Sequence, residues 1–249
     1  MPKIVPIVEG DGEVEAVPIL LRKLVAGMGR PEIGISRHPL NAHSCRNLTK
    51  PGGLERFVQN AALRPDCGAI LVLMDADKGC PLRIAQDFVS RINRLGTKHP
   101  VAVVIAKCEY EAWFLASLDS IVGNDLEGRA GLPIGTVYSK HDVESLVGVK
   151  GWLSRAFPGS QRYKETLDQA PMTRLLKPEL VAPRSRSFRR LAHALNESVA
   201  SMDRRRVAVT PAATEPTLDS QRASESGATK TDKKVRKRKS PNEVPRDVH

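Results

Sequence analysis

The sequence of 249 residues has few aromatic residues and few cysteines. Phe, Trp and Tyr make up 4% of it, although a hydrophobic content of 41% is enough for a core. Its four cysteines show no C-x-x-C spacing, which argues against a disulfide framework and favours reduced thiols. His38, His43 and Cys45 lie near one another, but the sequence offers no second ligand cluster to complete a zinc site.

Long apolar runs are also missing from the sequence. The longest, at residues 68–74, is far shorter than the roughly 20 residues that cross a bilayer. The N-terminal apolar stretch is interrupted by Pro6 and continues into acidic residues, which is not the pattern of a signal peptide. We therefore expect a soluble, cytoplasmic protein without a membrane association.

Positive charge exceeds negative charge in two parts of the chain. The 39 Lys and Arg against 28 Asp and Glu give a net charge of +11. Residues 203–249 carry 12 Lys and Arg against 7 Asp and Glu, so +5 belongs to this segment and +6 to the rest. The segment has neither periodicity nor aromatic residues, which predicts a disordered basic tail. The excess charge favours an acidic partner, with DNA or RNA the first candidates.

Strand-like apolar runs alternate with helical patterns in the first half of the chain. Residues 3–9, 69–75 and 101–106 predict buried strands, residues 33–38 predict a weaker strand, and helical periodicity lies between them. Pro18 predicts that the first regular helix starts between Val14 and Val17. The alternation predicts an α/β fold, with a mainly parallel sheet and helices on both faces. We assign this domain to residues 1–122, a helical extension to residues 123–202 and the tail to residues 203–249.

Acidic residues follow three of the predicted strands. Glu9 follows the first strand, Glu13 opens the next helix, Asp75 and Asp77 end the third strand, and Glu111 comes shortly after the fourth. Such sheets bind ligands at the carboxyl ends of their strands, and carboxylates suit Mg²⁺ or Mn²⁺. We predict one metal site from these five residues. Asp75 and Asp77 would face the same ion if the strand continues through Asp77.

Two other interpretations of these acids use the same residues. Gly10-Asp11-Gly12 would form a phosphate cradle at a helix N-terminus, but it lacks a P-loop lysine and its acids repel phosphate. The acids would otherwise be solvated strand ends, or helix N-terminal residues that the macrodipole favours. For Asp11, Glu13 or Glu109 taken singly, this last interpretation stays open.

The acidic pattern resembles the toprim domain, the metal-binding module of topoisomerases, bacterial primases and the overcoming-lysogenization-defect (OLD) nucleases. The resemblance lies in Glu9-Gly10 after the first strand and Asp75-x-Asp77 after the third, and Glu9-Gly10-x-x-Glu13 is most similar to the OLD branch. It implies that Glu9 serves as general acid/base or metal ligand and that Asp75 and Asp77 bind Mg²⁺.

Residues 3–200 also resemble a bacterial family of uncharacterised toprim-like proteins. The similarity extends to Glu111-Ala112-Trp113-Phe114-Leu115-Ala116, Tyr163-Lys164-Glu165 and Ser187-Phe188-Arg189-Arg190-Leu191. Members of that family are associated with ATPases and with phage defence. The resemblance therefore implies an ATPase as a partner protein.

From the residues and the resemblance we expect a Mg²⁺- or Mn²⁺-dependent enzyme that acts on phosphodiester bonds, a nuclease. Five basic residues are candidate contacts to DNA or RNA, although a solvated helix face accounts for the arginines equally well: Lys107, Arg184, Arg186, Arg189 and Arg190.

Two alternatives to a nuclease remain. A non-catalytic subunit that binds nucleic acid or a partner would be indicated by loss of the acids, which are present. A sugar-nucleotide transferase also uses Asp-x-Asp to bind Mn²⁺ and a diphosphate, but it assigns no role to Glu9 and Glu13.

Overall fold

The computed structural model describes residues 2–140 and 142–207 of the chain. Strands and helices alternate through the first half, and helices follow. The strands are β1 (Lys3–Val8), β2 (Gly34–Ile35), β3 (Leu40–Asn41), β4 (Cys67–Asp75) and β5 (Val101–Ala106). The helices are α1 (Asp11–Gly27), α2 (Cys45–Thr49), α3 (Gly53–Ala62), α4 (Pro81–Leu95), α5 (Ala112–Ala116), α6 (Leu118–Ile121), α7 (Val149–Ala156), α8 (Glu165–Leu175), α9 (Pro178–Val181) and α10 (Arg186–Val207), and Val143–Ser145 forms a 3₁₀ turn.

The five strands form one parallel sheet, which confirms the predicted α/β fold. The order is β2-β1-β4-β5, and β3 pairs with β1 beyond the end of β2. Every residue of β4 is buried, as expected for a central strand covered on both faces. The sequence did not predict β3 or α2, because both lie in a polar segment and each is only a few residues long.

Helices cover both faces of the sheet and enclose two apolar clusters. One cluster joins α1, α5, α8 and α10 to the sheet, and its largest side chains include Tyr110, Trp113 and Phe188. The other joins α3 and α4 to the opposite face, and Phe88 is one of its fully buried side chains. The predicted helical extension therefore adds to the first cluster through α8 and α10.

Pro6 lies in β1 and Pro18 lies in α1, and the fold accommodates each in a different way. The carbonyl oxygens of Ile4 and Val8 accept hydrogen bonds from the segments after β2 and β3, which lie on the side of β1 away from β4. Alternate residues of a strand bond to the same side, so the nitrogen of Pro6 also faces that side, at the point where the partner of β1 changes from β2 to β3. The ladder between β1 and β4 therefore keeps its donors. Pro18 lies inside α1, which begins at Asp11, so the predicted start between Val14 and Val17 was wrong. The helix begins early because the Glu13 carboxylate binds the preceding backbone N–H groups.

A glycine allows α8 to approach α1 closely. A Cβ on Gly12 would lie 2.2 Å from Gln169 Oε1 and 2.8 Å from the carbonyl oxygen of Glu165. Only glycine fits this contact, and the contact brings the polar residues of α8 to the start of α1.

The last described helix enters the segment predicted as the tail. Helix α10 continues to Val207, so residues 203–207 are helical rather than disordered. The predicted disorder of residues 208–249 concerns a segment outside the described residues. Within the described part of the chain, no helix combines the length and apolarity needed to cross a membrane.

Candidate metal centre

The carboxyl ends of β1 and β4 bring two of the predicted ligands together. Strands β1 and β4 are parallel neighbours, so Glu9, just after β1, and Asp75, the last residue of β4, lie at the same edge of the sheet. The backbone N–H of Asp75 donates a hydrogen bond of 3.2 Å to Glu9 Oε2. The side chain of Glu9 thus lies directly above the end of β4.

Glu9 also belongs to a set of three ligands that we call the outer group: Glu9, Cys45 and Asp77. One oxygen of each carboxylate and the Cys45 sulfur all lie within 4.8 Å of one another. Glu9 and Cys45 are half-buried, and Asp77 is exposed. The arrangement brings together the end of β1, the first residue of α2 and the turn after β4, and it opens toward solvent.

The Asp-x-Asp segment does not continue as a strand. Strand β4 ends at Asp75, and Asp77 takes a left-handed backbone conformation with φ of 48°. Its N–H donates to the carbonyl oxygen of Cys108 at 2.8 Å. The strand therefore does not continue through Asp77, and the two side chains do not face the same ion as predicted. Asp77 belongs to the outer group, and Asp75 points into the protein.

A second set of acids, which we call the inner group, is buried behind the first: Glu13, Asp75 and Glu111. Glu111 is fully buried, and its Oε1 accepts from the Tyr163 hydroxyl at 2.9 Å and from Gln169 Nε2 at 3.3 Å. Asp75 Oδ1 accepts from the backbone N–H of Tyr110 at 2.8 Å. Hydrogen bonds from the segment after β5 and from residues in and just before α8 therefore fix Asp75 and Glu111.

Within the inner group, Glu13 also stabilises the start of α1. Its Oε2 accepts from the backbone N–H groups of Glu9 and Gly10, at 2.8 and 3.0 Å, and so satisfies two free donors at the start of α1. The same contacts fix the turn that presents Glu9. One oxygen of Glu13 is thus engaged by the backbone.

Lys150 is the cation of the inner group. Its Nζ lies 2.9 Å from Glu165 Oε1, 3.7 Å from Asp75 Oδ2 and 3.9 Å from Glu111 Oε2. Glu109, also predicted near the site, accepts from the backbone N–H of Lys150 at 3.0 Å and so holds the start of α7. Burial acts to lower the pKa of Lys150, but the charges of Glu111 and Asp75 outweigh it and raise the pKa.

Burial raises the pKa of every inner acid. Burial raises the pKa of Glu13 to about 8, with a further contribution from the charge of Glu111. Burial raises the pKa of Glu111 to about 7, against the opposing charge of Lys150. Burial, together with the charges of Glu13 and Glu111, holds the pKa of Asp75 well above its usual range. These acids therefore bind protons more readily than carboxyl groups in water do.

The oxygen and sulfur atoms at the carboxyl ends of the strands are suitable ligands for a divalent cation. Glu111 Oε2 and Gln169 Oε1 are both buried, and neither has a hydrogen-bond partner among the described residues. Buried oxygens left without a donor are uncommon and indicate a missing partner. Oxygen ligands of this kind suit Mg²⁺ and Mn²⁺, and the Cys45 sulfur adds one softer atom to the outer group.

Five residues of this centre were not predicted as site residues from the sequence: Cys45, Lys150, Tyr163, Glu165 and Gln169. Tyr163 lies in the Tyr163-Lys164-Glu165 motif, for which the family resemblance implies no chemical role. Lys150 and Gln169 come from α7 and α8, and no local pattern in the sequence places these two helices beside the strand ends. Cys45 was considered only as a zinc ligand together with His38 and His43, and nothing in its polar segment indicates Glu9 and Asp77 as its neighbours.

The predicted nucleic-acid contacts gather in another place. Lys107, Arg184, Arg186, Arg189 and Arg190 all line one cavity of about 1340 Å³ between α4, β5 and the start of α10, which we call the basic groove. Lys107 lies beside Cys108, whose carbonyl oxygen bonds to Asp77. One end of the groove therefore approaches the outer group.

The third motif of the resemblance supports the wall of this groove. Ser187 accepts from Trp113 Nε1 at 3.0 Å, and its hydroxyl donates to the buried carboxylate of Glu144 at 2.6 Å. Ser185 donates to the same Glu144 oxygen at 2.6 Å. These bonds attach the start of α10 to the body of the protein.

Comparison with known proteins gives a family and no function. No curated protein and no solved structure matches the chain. One family model matches residues 8–196, from the last residue of β1 into α10, and this range includes every residue of the inner and outer groups. The chain therefore belongs to the family described as Domain of unknown function (DUF4276).

Proposed function

We propose that this protein is a Mg²⁺- or Mn²⁺-dependent enzyme that cleaves phosphodiester bonds in DNA or RNA, with chemistry of the toprim and OLD-nuclease kind. The observation that carries the proposal is the outer group, whose two carboxylates and one thiol lie within 4.8 Å of one another, beside the buried acids at the carboxyl ends of β1 and β4. Burying acids that repel one another costs electrostatic free energy, so their placement favours a functional role.

In this proposal the outer group holds the cation. Glu9 and Asp77 supply the oxygen ligands, and the open side of the group admits a phosphate oxygen. A bound divalent cation would polarise the phosphoryl group and lower the pKa of a bound water. Glu9 lies between the two groups, where it can bind the cation or accept a proton.

The inner group supports the outer one. Glu13 holds the backbone of Glu9, and Asp75 donates its N–H to the Glu9 carboxylate, so both orient that side chain. Lys150 places a positive charge beside Asp75 and Glu111. An ammonium at that position suits the negative charge that develops on a phosphoryl group during displacement.

A non-catalytic binding subunit is the second candidate, and Lys150 is the observation that favours it. An internal ammonium neutralises part of the acidic charge, so the fold does not need a metal for that purpose. In such a subunit the acids would serve to position α7 and α8. DNA, RNA or a partner protein would then bind without turnover.

Cleavage assays with paired variants separate the two candidates. Purified protein is incubated with supercoiled DNA and with RNA in Mg²⁺, Mn²⁺ or EDTA. We expect metal-dependent nicking by the wild type, loss of nicking in Glu9→Gln and Asp77→Asn, and full activity in Asp119→Asn, which changes an exposed acid on α6. Cleavage that persists in EDTA or in both site variants contradicts the proposal.

A further inference from the structure

The basic groove contains the free edge of the sheet. Strand β5 pairs with β4 on one side, and no described strand pairs with its other side. The bonds from Ile70 to Pro100 and from Ala76 to Ala106 show that the even-numbered residues of β5 turn their backbone toward β4. Val103 and Ile105 therefore turn their backbone N–H and C=O groups outward, and both line the groove.

The floor of the groove is aliphatic. Leu82 and Val89 lie on the exposed face of α4, with 64% and 45% of their surface accessible, and both line the groove beside β5. Within the described chain, no Phe, Tyr or Trp lines it. Bases of a single strand therefore have no ring on which to stack, whereas apolar side chains of a peptide have a surface to cover.

The rim of the groove is strongly basic. Six cationic residues line it: Arg94, Lys107, Arg184, Arg186, Arg189 and Arg190. The two acids of the lining, Asp142 and Glu144, are engaged locally, since Asp142 accepts from the N–H of Glu144 and Glu144 accepts from Ser185 and Ser187. The charge that faces an incoming ligand is therefore positive.

We propose that the basic groove binds an extended acidic segment of a partner protein, which adds to β5 as a further strand. The outward N–H and C=O groups of Val103 and Ile105 would pair with the segment, as in other cases where a peptide extends a sheet. Apolar side chains of the segment would cover Leu82 and Val89, and its acids would meet the arginines of α10. A second copy of this chain fits poorly, because its own β5 edge carries the same cations.

Fluorescence anisotropy with defined probes tests the proposal. The first probe is a labelled peptide of roughly eight alternating Glu and Val residues, long enough to span β5. The second alternates Lys and Val, and the third is the acidic peptide with N-methyl groups on alternate residues. Single-stranded oligothymidylate and a DNA duplex are the nucleic-acid probes. All measurements contain EDTA, so that binding is separated from any cleavage at the metal centre.

We expect the acidic peptide alone among the three peptides to bind. Val89→Glu and Arg186→Glu should each raise its Kd at least about tenfold, which corresponds to roughly 1.4 kcal/mol. Lys98→Glu, a charge reversal outside the groove lining, should leave the Kd unchanged. In hydrogen exchange followed by NMR, the amides of Val103 and Ile105 should exchange more slowly when the acidic peptide is bound.

Three results would overturn the proposal. The acidic peptide does not bind, or it binds without protecting the amides of Val103 and Ile105. Alternatively, a nucleic-acid probe binds with the same sensitivity to Val89→Glu and Arg186→Glu while the peptide does not, which assigns the groove to nucleic acid. None of these results bears on metal-dependent cleavage, so the two proposals fail separately.

Discussion

The inner and outer groups of acids lie side by side, but the fold surrounds them differently. Glu13, Asp75 and Glu111 are buried, and backbone donors, Tyr163, Gln169 and Lys150 hold them in place. Asp77 of the outer group is exposed, and one of its carboxylate oxygens lies within 4.8 Å of a Glu9 carboxylate oxygen and of the Cys45 sulfur.

This difference separates two tasks that an acidic site must perform. The inner acids are positioned by the protein at a cost in electrostatic free energy, since burial and repulsion disfavour their charged forms. The outer ligands remain accessible, which a metal and a phosphate both require. Glu9 connects the groups through its bond to Asp75. Changes of pH and substitutions that act on one group more than on the other therefore test this division.

The pH dependence of stability should be dominated by the inner group. The pKa of Glu13 rises from 4.5 to about 8 and that of Glu111 from 4.5 to about 7, so both contribute fully to stability below 4.5. This contribution is lost as the pH rises through about 7 and 8. We expect metal-free protein to lose several kcal/mol of unfolding free energy between about pH 5 and pH 8.

Chemical denaturation in EDTA at a series of pH values measures this loss. Glu55 does not interfere, because its hydrogen bond from Arg91 lowers its pKa to about 2, outside the window. A stability that is flat or that increases from pH 5 to pH 8 would show that the inner acids are solvated instead of buried.

Removing the inner cation should have the next largest effect. Lys150→Met leaves Asp75, Glu111 and Glu165 without their ammonium partner. Breaking a fully buried ion pair costs roughly 3–5 kcal/mol, but the Lys150 side chain is 38% exposed. Allowing for solvent screening, we expect a loss of about 1–3 kcal/mol at neutral pH.

The same variant should lose less at about pH 5, where the inner acids are protonated and need no cation. Urea denaturation at both pH values measures the difference. Lys98→Met, which changes an exposed lysine, is the matched control and should have little effect. An equal loss for Lys150→Met at both pH values would assign the residue a packing role instead of an electrostatic one.

Separating α8 from α1 should disturb the centre through its scaffold. Gly12→Ala places a methyl group 2.2 Å from Gln169 Oε1 and 2.8 Å from the Glu165 carbonyl oxygen. Overpacking of this kind costs about 1–3 kcal/mol. Gly27→Ala is the control, because a Cβ there meets nothing within 4 Å. Thermal unfolding compares the two variants. Equal melting temperatures would mean that α8 moves away from the added methyl group without a loss of stability.

The smallest effects concern single charges in metal-free protein. Asp75→Asn removes a repelling charge, and its Oδ1 can still accept from Tyr110, so we expect a gain of about 1 kcal/mol near pH 8. Asp77→Asn changes an exposed residue and should alter stability by less than about 0.5 kcal/mol. Denaturation in EDTA tests both, and the comparison fails if Asp77→Asn is the more stabilising change.

The sequence was sufficient to predict the strands that carry the acids. A continuous apolar run such as residues 69–74 is typical of a strand covered on both faces, and parallel order then places the carboxyl ends at one edge. It was not sufficient to predict how the acids divide. The division depends on the left-handed backbone at Asp77 and on Lys150, which reaches the site from a helix about 75 residues farther along the chain.

The start of α1 shows a similar limit. Pro18 suggested a late start for the helix, because proline removes one backbone donor. The Glu13 side chain stabilises the start of the helix instead, because it accepts hydrogen bonds from the N–H groups of Glu9 and Gly10. The start of the helix is therefore decided by the Glu13 contact and not by the helix propensity around Pro18, and the same contact positions Glu9.

Thermal unfolding in Mn²⁺ tests the central claim, that the outer group binds a divalent cation. A ligand that binds only the folded state at about 100 times its Kd stabilises it by roughly 2.7 kcal/mol. We expect the melting temperature of the wild type and of Asp119→Asn to rise with Mn²⁺ or Mg²⁺, and that of Asp77→Asn to stay constant. A wild type that does not respond, or an Asp77→Asn variant that responds fully, would contradict metal binding by the outer group.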